Sequence, residues 1–140
     1  MVARETANGL ELSNRCIIEV GTASFRAVRG YALAAAICDE IAFWHSDCAR
    51  PDAETTAALR PALATLGGKL NALSSPYARR GALWDSYRKH FGQAHARILV
   101  AQAASRVMNP LLPEHIVDDA MKDDAAQAGA EYLAQFRSDI

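Results

Sequence analysis

The sequence holds little that could staple it covalently or anchor it in a bilayer. Its three cysteines, Cys16, Cys38 and Cys48, form no CxxC pair and leave an odd one over. That excludes a disulfide scaffold and fits a reduced, intracellular chain. No charge-free stretch exceeds nine residues, far short of the ~20 that a membrane span needs. The opening Met-Val-Ala-Arg-Glu-Thr leads into no apolar core, so no secretory signal is expected. An excess of one charge is missing too. Fifteen basic residues meet 16 acidic ones, so no global field draws the chain to nucleic acid or to an anionic membrane. No serine lies in a GxSxG elbow, which leaves an α/β-hydrolase nucleophile unsupported. There is no internal repeat and no low-complexity linker.

What is present suits one domain spanning residues 1–140. Of 71 apolar positions 29 are alanine, and the 42 larger side chains suffice for one core. Twelve of the 15 basic residues are arginine, whose forked guanidinium favours carboxylate or phosphate contacts over simple solvation.

Between Gly9 and Ser24, Leu10, Leu12, Ile17, Ile18, Val20 and Thr22 flank a polar Ser13-Asn14-Arg15 break, a pattern that predicts two short strands joined by a turn. Residues 25–30 read as a loop. Tyr31–Cys38 is alanine-rich, and propensity alone favours helix. Its eight-residue length and its flanks, Gly30 and Asp39-Glu40, instead predict a strand buried on both faces, as in a parallel sheet covered by helices. Pro51–Leu66 is a predicted helix with Leu59, Leu63 and Leu66 on one stripe, Pro61 as a possible kink and Gly67-Gly68 as its stop. Lys69–Leu73 reads as a second buried strand, 82–90 as a helix closed by Gly92, and 97–102 as a third core strand around Ile98, Leu99 and Val100. Two helices close the chain: Pro113 to about Lys122, then about Ala125 to Arg137 with Asp123 or Asp124 as cap. Alternating strands and helices predict an α/β fold with a mainly parallel sheet flanked by helices.

Asp39-Glu40 is the main chemical signal. In a parallel sheet, ligands bind beyond the carboxyl ends of the strands, where this pair would sit. Asp39 could hold the water shell of Mg²⁺ while Glu40 polarises an attacking water. The bland alternative is an apolar strand meeting solvent. Ser74 and Ser75, at the end of the next predicted strand, could bond the same water or a phosphate, or could simply make a turn with Pro76. Arg79, Arg80, Arg88, Lys89 and Arg97, with His90 and His95, oppose only Asp85 and interleave with Tyr77, Trp84, Tyr87 and Phe91. Such a surface can meet the phosphates of DNA, although the helical spacing of the aromatics equally suits a core stripe. Cys38, His45 and Cys48 supply three soft metal ligands without the fourth of a structural zinc site. Asp118, Asp119, Asp123 and Asp124 suit helix capping and solvation.

Taken together, several segments resemble the ATPase domain of tailed-phage large terminases: Thr22–Tyr31, Ile37–Trp44, Leu59–Leu63, Ser74–Trp84 and Glu131–Arg137. The resemblance covers nearly the whole chain in order. It implies part of a P-loop NTPase domain of the RecA/ASCE-like kind, with Asp39-Glu40 as the Walker B pair and Ser74-Ser75 as the coupling motif. Arg29, with Arg26 in reserve, takes the place of an arginine that completes a neighbouring subunit's ATP site. Mg²⁺ and ATP serve the intact family protein. Its implied partners are double-stranded DNA, the portal and the small terminase subunit, in the cytoplasm of a bacterial host.

The chain also departs from that family. No GxxxxGK[ST] loop exists; Gly68-Lys69 is followed by Leu70, and Leu63 stands where the first glycine belongs. The family places that loop upstream of everything here and a nuclease domain downstream. The expected function is therefore the Walker B and coupling part of a DNA-packaging motor, which without its phosphate loop neither binds ATP well nor turns it over alone. The alternatives are a catalytically inactive prophage remnant, with at most weak DNA or partner binding, and a small zinc module. A partial sheet should expose an edge and self-associate through it.

Overall fold

The computed structural model describes residues 1–24, 30–45, 50–94 and 97–140. Three strands open the chain: β1 (Val2–Thr6), β2 (Gly9–Leu12) and β3 (Ile17–Glu19), an antiparallel meander in the order β1-β2-β3. The two strands expected after Gly9 are β2 and β3, turning at Ser13-Asn14-Arg15, where Cys16 N–H donates to Asn14 Oδ1 (3.1 Å). Their register sets Leu10 opposite Ile18, and that of β1 sets Val2 opposite Leu12. One face of the meander is thus mainly apolar, with Glu5 opposite Leu10, while Arg4 pairs with Glu11 (3.2 Å) on the other beside Ile17. The apolar face stays largely open, with Val2 47 % and Ile18 53 % exposed.

Strands β4 (Ala35–Cys38) and β5 (Lys69–Ala72) form a separate parallel pair, in the register Ala35–Lys69 to Cys38–Ala72. Between them run a 3-10 turn (Ile41–Phe43) and helix α1 (Pro51–Ala64). Parallel neighbours need such a crossover. Pro51 opens α1 at a position where its missing N–H costs nothing. Pro61 lies inside the helix without ending it. The core is Cys38, Ile41, Leu59 and Leu63, with Leu33, Ala36, Trp44, Leu70, Ala82 and Leu83 packed around it. Leu33 N–H donates to Ala62 O (2.9 Å) and Gly68 N–H to Leu63 O (2.8 Å), tying α1 to both strands. A Cβ at Gly68 would overlap the Leu33 carbonyl, so only glycine allows that approach.

Helix α2 (Gly81–His90) packs on α1; α3 (Ser105–Met108), α4 (Glu114–Asp123) and α5 (Ala125–Leu133) follow. Asp124 caps α5, accepting from Gln127 N–H (2.9 Å). The chain end returns to α2: Arg137 N–H donates to Tyr77 O (2.8 Å), and the Phe136 ring meets Trp84 edge-on at 4.8 Å.

Four expectations need correction. The described strands are not mainly parallel, since three of the five belong to the antiparallel meander. The strand expected over 31–38 is confined to its last four residues and is covered on one face only, with Ile37 71 % exposed. Alanine fits a pleated surface poorly, and only the half that finds a partner in β5 is a strand. Residues 97–102 form no strand. Leu99 is 92 % exposed, and the segment is held instead where Gln102 Nε2 donates to Ala134 O. The last helix stops at Leu133, because Ala134 adopts the left-handed conformation (φ 55°) that closes it.

The accessible surface is 10253 Å² for 15.1 kDa, against about 7,100 Å² for a compact monomer of that mass. Apolar residues such as Ile37, Leu66, Leu73, Leu99, Val107, Met108 and Leu111 are each more than half exposed.

Asp52 carries a local load. Its carboxylate lies in the first turn of α1 and accepts from Ala82 N–H, so one negative charge serves the positive ends of two helices. Gly81 beside it has φ +88°, and a Cβ there would lie 2.6 Å from Asp52 Oδ2. Replacing Asp52 with alanine should cost about 1–2 kcal/mol in urea unfolding, and asparagine should recover part of it by keeping the acceptor.

Candidate functional site at the ends of the parallel strands

Because β4 and β5 run the same way in register, their carboxyl ends lie together. Cys38 and Ala72 are paired, so the residues that follow, Asp39-Glu40 and Leu73-Ser74, are brought side by side. The hydrogen bonds continue past the strands, with Leu73 N–H donating to Cys38 O (2.9 Å) and Ile41 N–H to Leu73 O (3.2 Å). The Ser74 hydroxyl accepts from Ala42 N–H (3.2 Å) and donates to Glu40 Oε2 (3.3 Å). It thereby spends one acceptor and its only proton on the turn.

Glu40 makes that turn possible at a cost. Its φ of 51° and ψ of 39° are left-handed, a region that disfavours any residue with a Cβ by roughly 1–2 kcal/mol. The reversal drops Ile41 into the core at 2 % exposure and leaves both carboxylates in solvent. The Trp44 indole N–H donates to Asp39 O (2.8 Å) and pins the backbone between them. Among the described residues no basic side chain pairs with Asp39 or Glu40.

The structure therefore brings together Asp39, Glu40 and Ser74. Ser75 is half-buried and takes no part in the hydrogen bonds of the 39–42 turn. Arg26, Arg29, Cys48 and His95 lie outside the described residues. Cys38 points into the core, where burial pushes its thiol pKa up, and the described residues hold no cluster of three metal-ligating side chains. Asp119 pairs with Lys122 (3.0 Å) and Asp124 caps α5, as capping and solvation required. Trp44 and the strained backbone of Glu40 were not foreseen. A tryptophan five residues on gives no local sign that its N–H turns back, and glutamate gives none that φ is positive.

Two exposed carboxylates and a hydroxyl at parallel strand ends can hold a hydrated divalent cation and orient a water. They line neither of two depressions found among the described residues. One depression, of about 660 Å³, lies on α1 and is lined by Tyr31, Glu54, Ala57, Pro61 and neighbouring small residues. A second, of about 310 Å³, lies between α4 and α5. No described helix is long and apolar enough to cross a membrane. Comparison with protein-family models, with curated proteins and with solved structures finds no match to this chain.

Two substitutions separate strain from structure. Ser74→Ala should destabilise the chain by about 1 kcal/mol, because Ala42 N–H loses its acceptor. Glu40→Gly should stabilise it by a similar amount, since relief of the left-handed cost exceeds one long, exposed hydrogen bond. Denaturant midpoints of the two variants should therefore move in opposite directions.

Proposed function

We propose that this chain is the Walker B and coupling-motif part of a terminase-like packaging ATPase of the P-loop class. One observation supports the reading most: Asp39-Glu40 and Ser74 share the ends of adjacent parallel strands, and Ser74 bonds Glu40 directly. Asp39 would hold the water shell of a Mg²⁺ ion, and Glu40 would orient a water and take up its proton. Ser74 links that carboxylate to β5, so a change at the site is felt along the second strand. Arg29 takes the neighbouring-subunit role by resemblance alone.

The carboxylates suit a hydrated Mg²⁺. A place for the triphosphate is not built into this chain in the usual way, because the sequence has no GxxxxGK[ST] loop and Asp39 lines neither described depression. ATP must be held by a polypeptide carrying GxxxxGK[ST]. Its strand would use the open backbone edge of the parallel pair, which otherwise serves self-association. Duplex DNA, the portal and the small terminase subunit are the partners this reading carries, within the bacterial host. A second reading, a catalytically inactive prophage remnant, draws on the same missing phosphate cradle.

Phosphate release decides between them. The isolated chain with Mg²⁺-ATP should stay at background. Combined with the polypeptide encoded immediately upstream, it should turn over, and Glu40→Gln should lower that rate at least about 100-fold. Turnover by the chain alone that Glu40→Gln removes would show a self-sufficient site and end the partial-motor reading. No turnover in the combination would leave the remnant.

A further inference from the structure

Charge is segregated along this chain. Residues 79–97 hold five basic side chains against Asp85 alone, whereas the rest of the chain has ten basic against 15 acidic. Asp85 is already engaged by Arg50 (3.0 Å), which lies outside that segment. Arg79, Arg80, Arg88 and Lys89 are all exposed, and among the described residues none of them has a carboxylate partner. Arg79-Arg80 precede α2 and Arg88-Lys89 lie in its last turn, so the two basic pairs are about 12 Å apart along the helix.

Between them runs an aromatic ladder. Trp84 stacks on Tyr87 with centroids 5.8 Å apart, and Tyr87 on Phe91 at 4.9 Å, both at 27° between planes. Phe136 closes the inner side against Trp84 and Tyr87. Phe91 ends the ladder, with Tyr87 over one side and the ring 45 % exposed. Phe91 N–H closes the helix on Tyr87 O (3.0 Å), and Gly92 turns the chain away with φ +74°. The terminal ring is thus held against Tyr87, with nearly half of Phe91 open to solvent.

We infer that the α2 face binds single-stranded nucleic acid, with a base stacked on Phe91 and phosphates on Arg88, Lys89 and Arg79. Unpaired bases offer their π-faces to an aromatic platform, and a base pair inside a duplex does not. The cations supply the salt-dependent part of affinity. This inference stands apart from the packaging-motor reading, whose site is at Asp39, and either can fail without the other.

Fluorescence anisotropy with a labelled oligo-dT of about 20 nucleotides, over salt from about 50 mM upward, tests it. The oligonucleotide should bind at least about tenfold more tightly than a duplex of equal length. Phe91→Ala should weaken binding about tenfold with the salt slope unchanged. The double variant Arg88→Ala/Lys89→Ala should flatten the slope by about 1.4. Phe91→Leu keeps apolar bulk without the π-face and should lose as much affinity as alanine, which excludes a folding artefact. No binding at low salt, equal binding of the duplex, or a Phe91→Leu variant that binds like the parent would each overturn the inference. So would salt-sensitive self-association, lost in the double basic variant, with oligo-dT ignored: the basic face would then belong to the acidic α4–α5 side of a second copy.

Discussion

The parallel pairing of β4 with β5 is the constraint on which the rest of this structure hangs. Two strands running the same way cannot be joined by a tight turn, so the chain between them must travel the length of the pair and return. Helix α1 makes that return, and in doing so brings Leu59 and Leu63 onto Cys38, Ile41 and Leu70, which is the main core. The same directionality places both carboxyl ends on one edge. Asp39, Glu40 and Ser74 meet there for no reason of their own. They meet because the strands before them are in register, and a one-residue slip would turn every side chain of either strand to the opposite face.

That pairing is covered on one side only. Ala36, Cys38 and Leu70 face α1, while Ile37 and Asn71 face outward. Parallel sheets are ordinarily buried on both faces. The short apolar strands here, the open apolar face of the meander and the surface some 3,000 Å² above that of a compact monomer describe the same deficit.

Local signals carried much of this. Pro51 and Gly67-Gly68 bracket α1 in the sequence as they do in space, and Lys69–Ala72 needed only its length and its serine-proline stop. The adjacency of Asp39 and Ser74 was legible for the same reason: each is the first polar residue after a short apolar run. Other elements depend on partners that no local window contains. Val2–Thr6 mixes Arg4 and Glu5 with its apolar residues and becomes a strand by pairing with β2. Ile98-Leu99-Val100 has the composition of a strand and pairs with neither sheet, and Leu99 stays in solvent. The acceptor that Asp52 offers to α2 spans thirty residues, and nothing near either position announces it.

Glu40 gives the site its meaning. Glycine would take the left-handed turn at no steric cost, and the turn is needed to bring Ile41 into the core. A residue with a long carboxylate in that conformation sets local backbone preference against something else the chain requires. The single hydrogen bond from Ser74, at 3.3 Å and open to water, is too weak to offset roughly 1–2 kcal/mol of backbone cost. The unmatched remainder is the kind of strain that collects where a side chain is wanted for its chemistry. Asp39 beside it is exposed and lies in the same turn after β4, but without the left-handed backbone of Glu40. The strained carboxylate is the one the proposed chemistry asks to orient water, and its bond to Ser74 runs directly to the neighbouring strand.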